Sequence, residues 1–207
     1  MSLPLWVSPH TSSMGPVAFG GRVALNTGMN LLVVVVLIFN AQLPTNSSDL
    51  RLPHYDWNAC PFECCVYRTW KANSVVKIFQ ERRLNSPIAF ELRPGDSVLA
   101  FTGVVVTRKA GEVRVLRDGF IGELKTAVRS GDVIRVLRPQ GEGFWKIWLK
   151  GRVDSAELLN LDDLPPEKGL QLVRRPEIVW WVKVRTPDGR VGWTTATEAF
   201  DGTDACG

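Results

Sequence analysis

From Val75 onward the chain is cut by turn signals at intervals of roughly 8–12 residues. Arg93-Pro94-Gly95-Asp96, Thr102-Gly103, Lys109-Ala110-Gly111 and Arg117-Asp118-Gly119 punctuate its first part. Between them lie short runs rich in Val, Ile and Phe: Val75 to Phe79, Ile88 to Leu92, Ser97 to Phe101, Val104 to Thr107 and Glu112 to Leu116. Residues of that kind fit a pleated, half-buried surface, and segments this short bury apolar area only as strands of a small sandwich or barrel. The rhythm therefore predicts an all-β protein.

The pattern then restarts. Leu92-Arg93-Pro94-Gly95-Asp96-Ser97-Val98 is matched thirty-six positions later by Val128-Arg129-Ser130-Gly131-Asp132-Val133-Ile134. The shared elements are an apolar residue, Arg, a turn residue, Gly-Asp and an aliphatic strand. Val133 to Leu137 and Phe144 to Lys150 read as the next strands. Alternation in the latter puts Trp145, Ile147 and Leu149 on one face and Phe144, Lys146, Trp148 and Lys150 on the other. Ser155 to Leu164, with Ser155 as cap and Pro165-Pro166 as stop, reads as a short helix. Ile178 to Thr194 reads as a β-hairpin: Trp180 and Trp181 lie on its first strand, Thr186-Pro187-Asp188-Gly189 makes the turn, and Gly192-Trp193 closes it.

This second half resembles bacterial Src-homology-3-like domains. The residues that carry the likeness are Gly131-Asp132, Trp180-Trp181-Val182-Lys183-Val184-Arg185, Asp188-Gly189-Arg190 and Gly192-Trp193. The expected architecture is all-β, with two small Src-homology-3-like β-barrels in tandem. A degenerate first barrel covers 72–118, and a second covers 119–207 with a helical insertion at 155–176. A Cys- and Trp-rich segment, 49–71, precedes them. The resemblance implies five-stranded barrels, often extracytoplasmic, that bind cell-wall peptides or other proteins. It brings no catalytic set with it.

Residues 1–48 read as an N-terminal extension with a signal peptide or membrane anchor. No acidic residue precedes Asp49, and Leu31 to Phe39 is an unbroken apolar run. Nine residues are too few to span a bilayer but suit the apolar region of an export signal. An uncleaved anchor over 23–41 is the alternative, and would be the chain's only membrane contact. Export places the protein in the periplasm or outside the cell, where disulfides persist. Cys60, Cys64, Cys65 and Cys206 then read as two bridges. Adjacent Cys64 and Cys65 rarely bond to each other, so Cys206 takes one partner from the cluster and Cys60 pairs with Cys64 or Cys65. Closing a loop of about 140 residues is worth roughly 4–5 kcal/mol on the chain-entropy model.

The same spacing argues against zinc, whose structural sites use paired ligand knuckles, and no metal or other cofactor is expected. A cysteine peptidase or metal hydrolase needs histidines, and the chain has only His10 and His54. The net charge of +4 comes from cations scattered singly among acids, without the clustering that nucleic-acid binding requires. The expected function is non-catalytic: an exported binding or scaffold protein contacting a cell-wall peptide or an envelope protein. The candidate ligand-binding residues are Phe144, Lys146, Trp148, Trp181, Lys183 and Arg185, because aromatic area beside cations suits peptides bearing carboxylates. Exposure of Trp148 and Trp181 tests that assignment. The alternative is an accessory domain or enzyme of cell-wall turnover with a carboxylate site.

Overall fold

A computed structural model describes residues 49–164 and 166–206, and its secondary structure there is mostly β. The strands are β1 (His54–Trp57), β2 (Thr69–Ala72), β3 (Val76–Phe79), β4 (Ile88–Leu92), β5 (Ser97–Lys109), β6 (Gly111–Val115), β7 (Gly119–Ile121), β8 (Thr126–Val128), β9 (Val133–Gly141), β10 (Phe144–Leu149), β11 (Arg152–Glu157), β12 (Leu170–Arg174), β13 (Glu177–Arg185), β14 (Val191–Thr194) and β15 (Phe200–Asp201). The only helical pieces among the described residues are 3₁₀ turns at Leu161–Asp163, Pro166–Lys168 and Thr197–Ala199. The expected N-terminal signal or anchor lies outside the described residues. No helix among those described is long and apolar enough to cross a membrane.

The strands form two main sheets. The first runs β15-β2-β5-β13-β14-β3-β4, with β1 also paired to β5, and it curls around a core that includes Trp70, Ile78, Phe90, Val105, Trp180 and Phe200. The second runs β11-β10-β9-β6-β12 over an aliphatic core of Val113, Ile134, Val136, Ile147 and Leu158. The β7–β8 hairpin stands beside it and adds Val128 to that core.

Strand pairing departs from the tandem arrangement. The Ile178–Thr194 hairpin does not close a barrel made from 119–157. Its first strand, β13, pairs with β5 from Glu177↔Lys109 to Arg185↔Leu99, and its second, β14, pairs onward to β3 through Trp193↔Phe79. The first sheet is thus discontinuous in sequence. It is left after β5 and resumed at β13, and residues 110–176 between them supply the second sheet. The physical reason is length: β5 offers thirteen residues of extended edge, enough to pair β1 and β2 on one side and the whole of β13 on the other.

That length also corrects the expected break at Thr102-Gly103. Gly103 is buried within β5, and a Cβ there would meet the Tyr67 hydroxyl, lie 2.8 Å from the Trp181 carbonyl oxygen and 2.9 Å from Trp180 Nε1. Its small size admits close packing and does not end the strand. The helix expected over 155–164 is likewise absent. Phe144 and Trp145 pair with Glu157 and Ala156, so sheet pairing overrides a weak helical preference. Too few residues then remain before Pro165 for more than a 3₁₀ turn, capped by Asn160 Oδ1 accepting from the Asp162 amide at 3.3 Å.

The matched Arg-x-Gly-Asp segments adopt one geometry. In each, the Asp carboxylate accepts from the Arg amide (Asp96 from Arg93 at 2.7 Å, Asp132 from Arg129 at 3.0 Å). The glycines have φ of 96° and 93° and donate to Ala72 and Val115, both at 2.8 Å. The elements around them also follow one order. A strand (β2 or β6) leads to a hairpin (β3–β4 or β7–β8), the turn, a long strand (β5 or β9), two antiparallel strands (β13–β14 or β10–β11), a 3₁₀ turn, and a last strand (β15 or β12) that pairs back on the first.

Candidate functional site

The two faces of the first sheet are both apolar along β5 and β13. Val105 and Trp180 enter the inner core, while Val104, Val106 and Trp181 form a second cluster on the outer face, with Phe79, Val179 and Trp193 against it. Period-two alternation produces this: neighbours Trp180 and Trp181 must point to opposite faces. On the outer face β1 lays Tyr55 opposite Val106 and Trp57 opposite Val104. Those two rings stay 46% and 54% exposed, so the cluster ends in an open aromatic surface.

Arg82, in the connection between β3 and β4, reaches over that surface. Its guanidinium carbon stands 4.6 Å from the Trp57 ring centre, 5.4 Å from Tyr55 and 5.5 Å from Trp193. A cation over each aromatic face is attracted by the ring quadrupole, by about 0.5–1 kcal/mol at such exposed sites. Beneath it lies a cleft of about 540 Å³ lined by Tyr55, Arg82, Arg83, Arg108, Trp181 and Trp193, among others. Farther along the same face Lys183 Nζ lies 5.5 Å from Trp193 and 5.8 Å from Phe101, and Arg185 stands 5.7 Å from Phe101. Glu81 is the acidic residue of the cleft, and it pairs with Arg83 at 2.6 Å. Among the described residues Arg82, Arg108, Lys183 and Arg185 make no ion pair, so the face carries uncompensated positive charge.

The six residues singled out from sequence do not assemble on one surface. Trp181 is 2% exposed and forms the floor of the cleft instead of a contact surface. Lys183 and Arg185 share its face. Trp148 is half-buried on the second sheet and lines a separate depression with Leu52, Arg135 and Arg174. Phe144 borders another hollow, beside Cys60, Phe62 and Glu63. Lys146 is occupied: its ammonium is bound to the Asp56 carboxylate. The residues that sequence reasoning passed over are Tyr55, Trp57 and Arg82. Their signal was present in His54-Tyr55-Asp56-Trp57, where aromatics alternate at strand period, but the segment 49–71 reads first as a cysteine cluster.

The reverse side of β1 is a charged clasp to the second sheet. Asp56, nearly buried, accepts from Arg138 Nε at 2.8 Å as well as from Lys146, and His54 Nε2 lies 3.9 Å away. Burial alone would raise the Asp56 carboxyl's pKa, but the Lys146 hydrogen bond and the charge and hydrogen bond of Arg138 outweigh it and hold it below the ordinary value. His54 is also lowered, first by burial; Asp56 opposes this, and Lys146 and Arg138 add to it. The carboxylate thus links β1 to β9 and β10, and losing it would leave two cations uncompensated.

The cysteines form Cys60–Cys65 and Cys64–Cys206, with Cα atoms 5.8 Å and 5.6 Å apart. Both pairings fall within the set left open by the spacing, and such bonds belong to oxidising compartments. Asp204 lies near Cys64 and Cys206, but sulfurs joined to each other are not metal ligands. The chain matches no family model, no curated protein and no solved structure.

Proposed function

We propose that the protein is a non-catalytic, exported binding module made of two Src-homology-3-like units. The second unit is nested within the first, between β5 and β13. The twice-used order of strands, turn and closing 3₁₀ segment supports this reading, together with the Trp-rich hairpin and its Gly-Trp closure. Export accords with four cysteines held in two bridges.

The ligand surface is the outer face of the first sheet, and the observation that carries it is Arg82 seated over Trp57, Tyr55 and Trp193 among cations without acidic partners. Rigid aromatic area lowers the ordering cost of binding while the positive field draws an anionic partner. A cell-wall peptide or an acidic segment of an envelope protein meets both demands. The test is titration of the protein with soluble cell-wall peptide fragments, followed by tryptophan fluorescence. Trp57→Ala should weaken binding at least tenfold, and Trp148→Ala, on the other sheet, should leave it unchanged. Equal losses in both variants, or no binding by the unaltered protein, would defeat the assignment.

A further inference from the structure

We infer that Arg82 is a carboxylate anchor: the cleft takes a short extended peptide through a bidentate contact between a free carboxylate and the Arg82 fork. This rests on the binding role proposed above and names the chemistry that the role requires. Arg82 is half-buried, and three rings stand around its guanidinium at 4.6–5.5 Å. A guanidinium stacked on a ring engages it through its flat face and keeps the N–H donors, which lie in its plane, for other partners.

Those donors are unused. Among the described residues none accepts a hydrogen bond from Arg82 and no carboxylate pairs with it. Nor are its nitrogens sealed away, since the side-chain atom both buried and unpaired is Arg174 Nε. Two other arginines differ. Arg83 is tied to Glu81 at 2.6 Å and Arg190 to Asp188 at 2.8 Å. A guanidinium fixed by aromatic walls with its fork vacant has already met much of the ordering cost that a flexible surface arginine meets on binding. The flat fork matches a planar carboxylate with two parallel hydrogen bonds, and Arg108 in the same cleft reinforces the choice of an anion. Tyr55 and Trp57 supply exposed apolar area beside the anchor for the rest of the peptide.

The test uses the full chain and calorimetric titration with three probes: a tetrapeptide with a Glu side chain and a free C-terminus, the same peptide with Gln and a C-terminal amide, and inorganic phosphate. The acidic peptide should bind at least tenfold more tightly than the neutral one. Arg82→Lys, which keeps the charge but loses the fork, should cost the acidic peptide about tenfold and leave the neutral peptide unaffected. If Arg82→Lys binds like the unaltered protein, or the neutral peptide binds as well as the acidic one, the anchor is overturned while the binding role stands. If phosphate displaces the acidic peptide at matching concentration, the cleft is a general anion site and the carboxylate assignment fails. If neither peptide nor any cell-wall fragment binds, the binding role falls with it.

Discussion

The two sheets share an order of elements and a turn, yet they close by different means. The second is continuous in sequence, its buried core is aliphatic, and its last strand, five residues long, pairs with β6 at four of them. The first is interrupted by the whole of the second. Its last strand has only two residues, and its core holds Trp70, Trp180, Phe90 and Phe200. Trp70 packs on Trp180 and Phe200 with ring centres 5.9 Å and 5.6 Å apart. The C-terminus is further bound by Arg68, which donates to the carbonyls of Gly202 and Asp204, and by the Cys64–Cys206 bridge. A sheet whose halves are distant in sequence must meet a larger loop-closure cost before its contacts form. The large rings and the bridge sit where that cost falls.

The sharpest way to break this contrast is to open the bridge. The Cys64→Ser, Cys206→Ser double variant releases a closure of 142 residues, worth about 5 kcal/mol on the chain-entropy model. Amide exchange should accelerate first in β2 and β15, while β9 and β10 keep their protection. Equal loss of protection in both sheets would mean that they unfold as one unit and that the bridge serves them alike.

A smaller effect tests the clasp between the sheets. Asp56→Asn should cost about 3 kcal/mol, because it leaves Arg138 and Lys146 without their counter-charge in a largely desolvated site. Denaturant unfolding measures this. The pH dependence has a defined sign. Both His54 and Asp56 titrate lower in the folded protein than when unfolded, so their contributions are present at neutral pH and fade on acidification. The first decline begins as pH falls through the ordinary histidine value of 6.5, and the second below the ordinary carboxyl value of 3.8. Asp56→Asn should shrink the lower step, leaving the part that Asp132 and Asp188, also held below the ordinary value, contribute. An acid limb unchanged in that variant would assign it to other groups.

Much of this was legible in the sequence, and the exceptions have a common cause. Strand-forming runs, the repeated turn, the hairpin at Thr186–Gly189 and the bridging cysteines are local signals, and each found its counterpart. Partner choice is not local. Nothing in Ile178 to Thr194 states that it pairs with Leu99 to Lys109 across an intervening sheet, and nothing in Ser155 to Glu157 states that Phe144 to Lys146 will recruit it as a strand. The six candidate site residues are dispersed for the same reason. Alternation along β13 puts Trp181, Lys183 and Arg185 on one face, but what else lies on that face depends on β1 and Arg82 arriving from elsewhere. Trp181 is buried among Val104, Val106, Phe79 and Trp193, and the accessible aromatic surface is instead that of Tyr55 and Trp57, which β13 itself does not contain.

The smallest effect asks whether the two turns are equivalent in energy as they are in geometry. Gly95 and Gly131 both occupy left-handed backbone, and a Cβ added at either would meet nothing within 4 Å. Alanine at these positions therefore isolates the conformational cost from any steric one, and each substitution should destabilise by about 1 kcal/mol. Gly95→Ala should speed exchange in β2 and β5, and Gly131→Ala in β6 and β9, by similar factors. Gly103→Ala serves as the contrast, since its Cβ would collide with Tyr67, Trp180 and Trp181 and cost about 1–3 kcal/mol through packing alone. If the turn variants differ from each other by as much as either differs from Gly103→Ala, the shared geometry is a resemblance of shape without a shared energetic role, and the case for two copies of one unit loses its best local support.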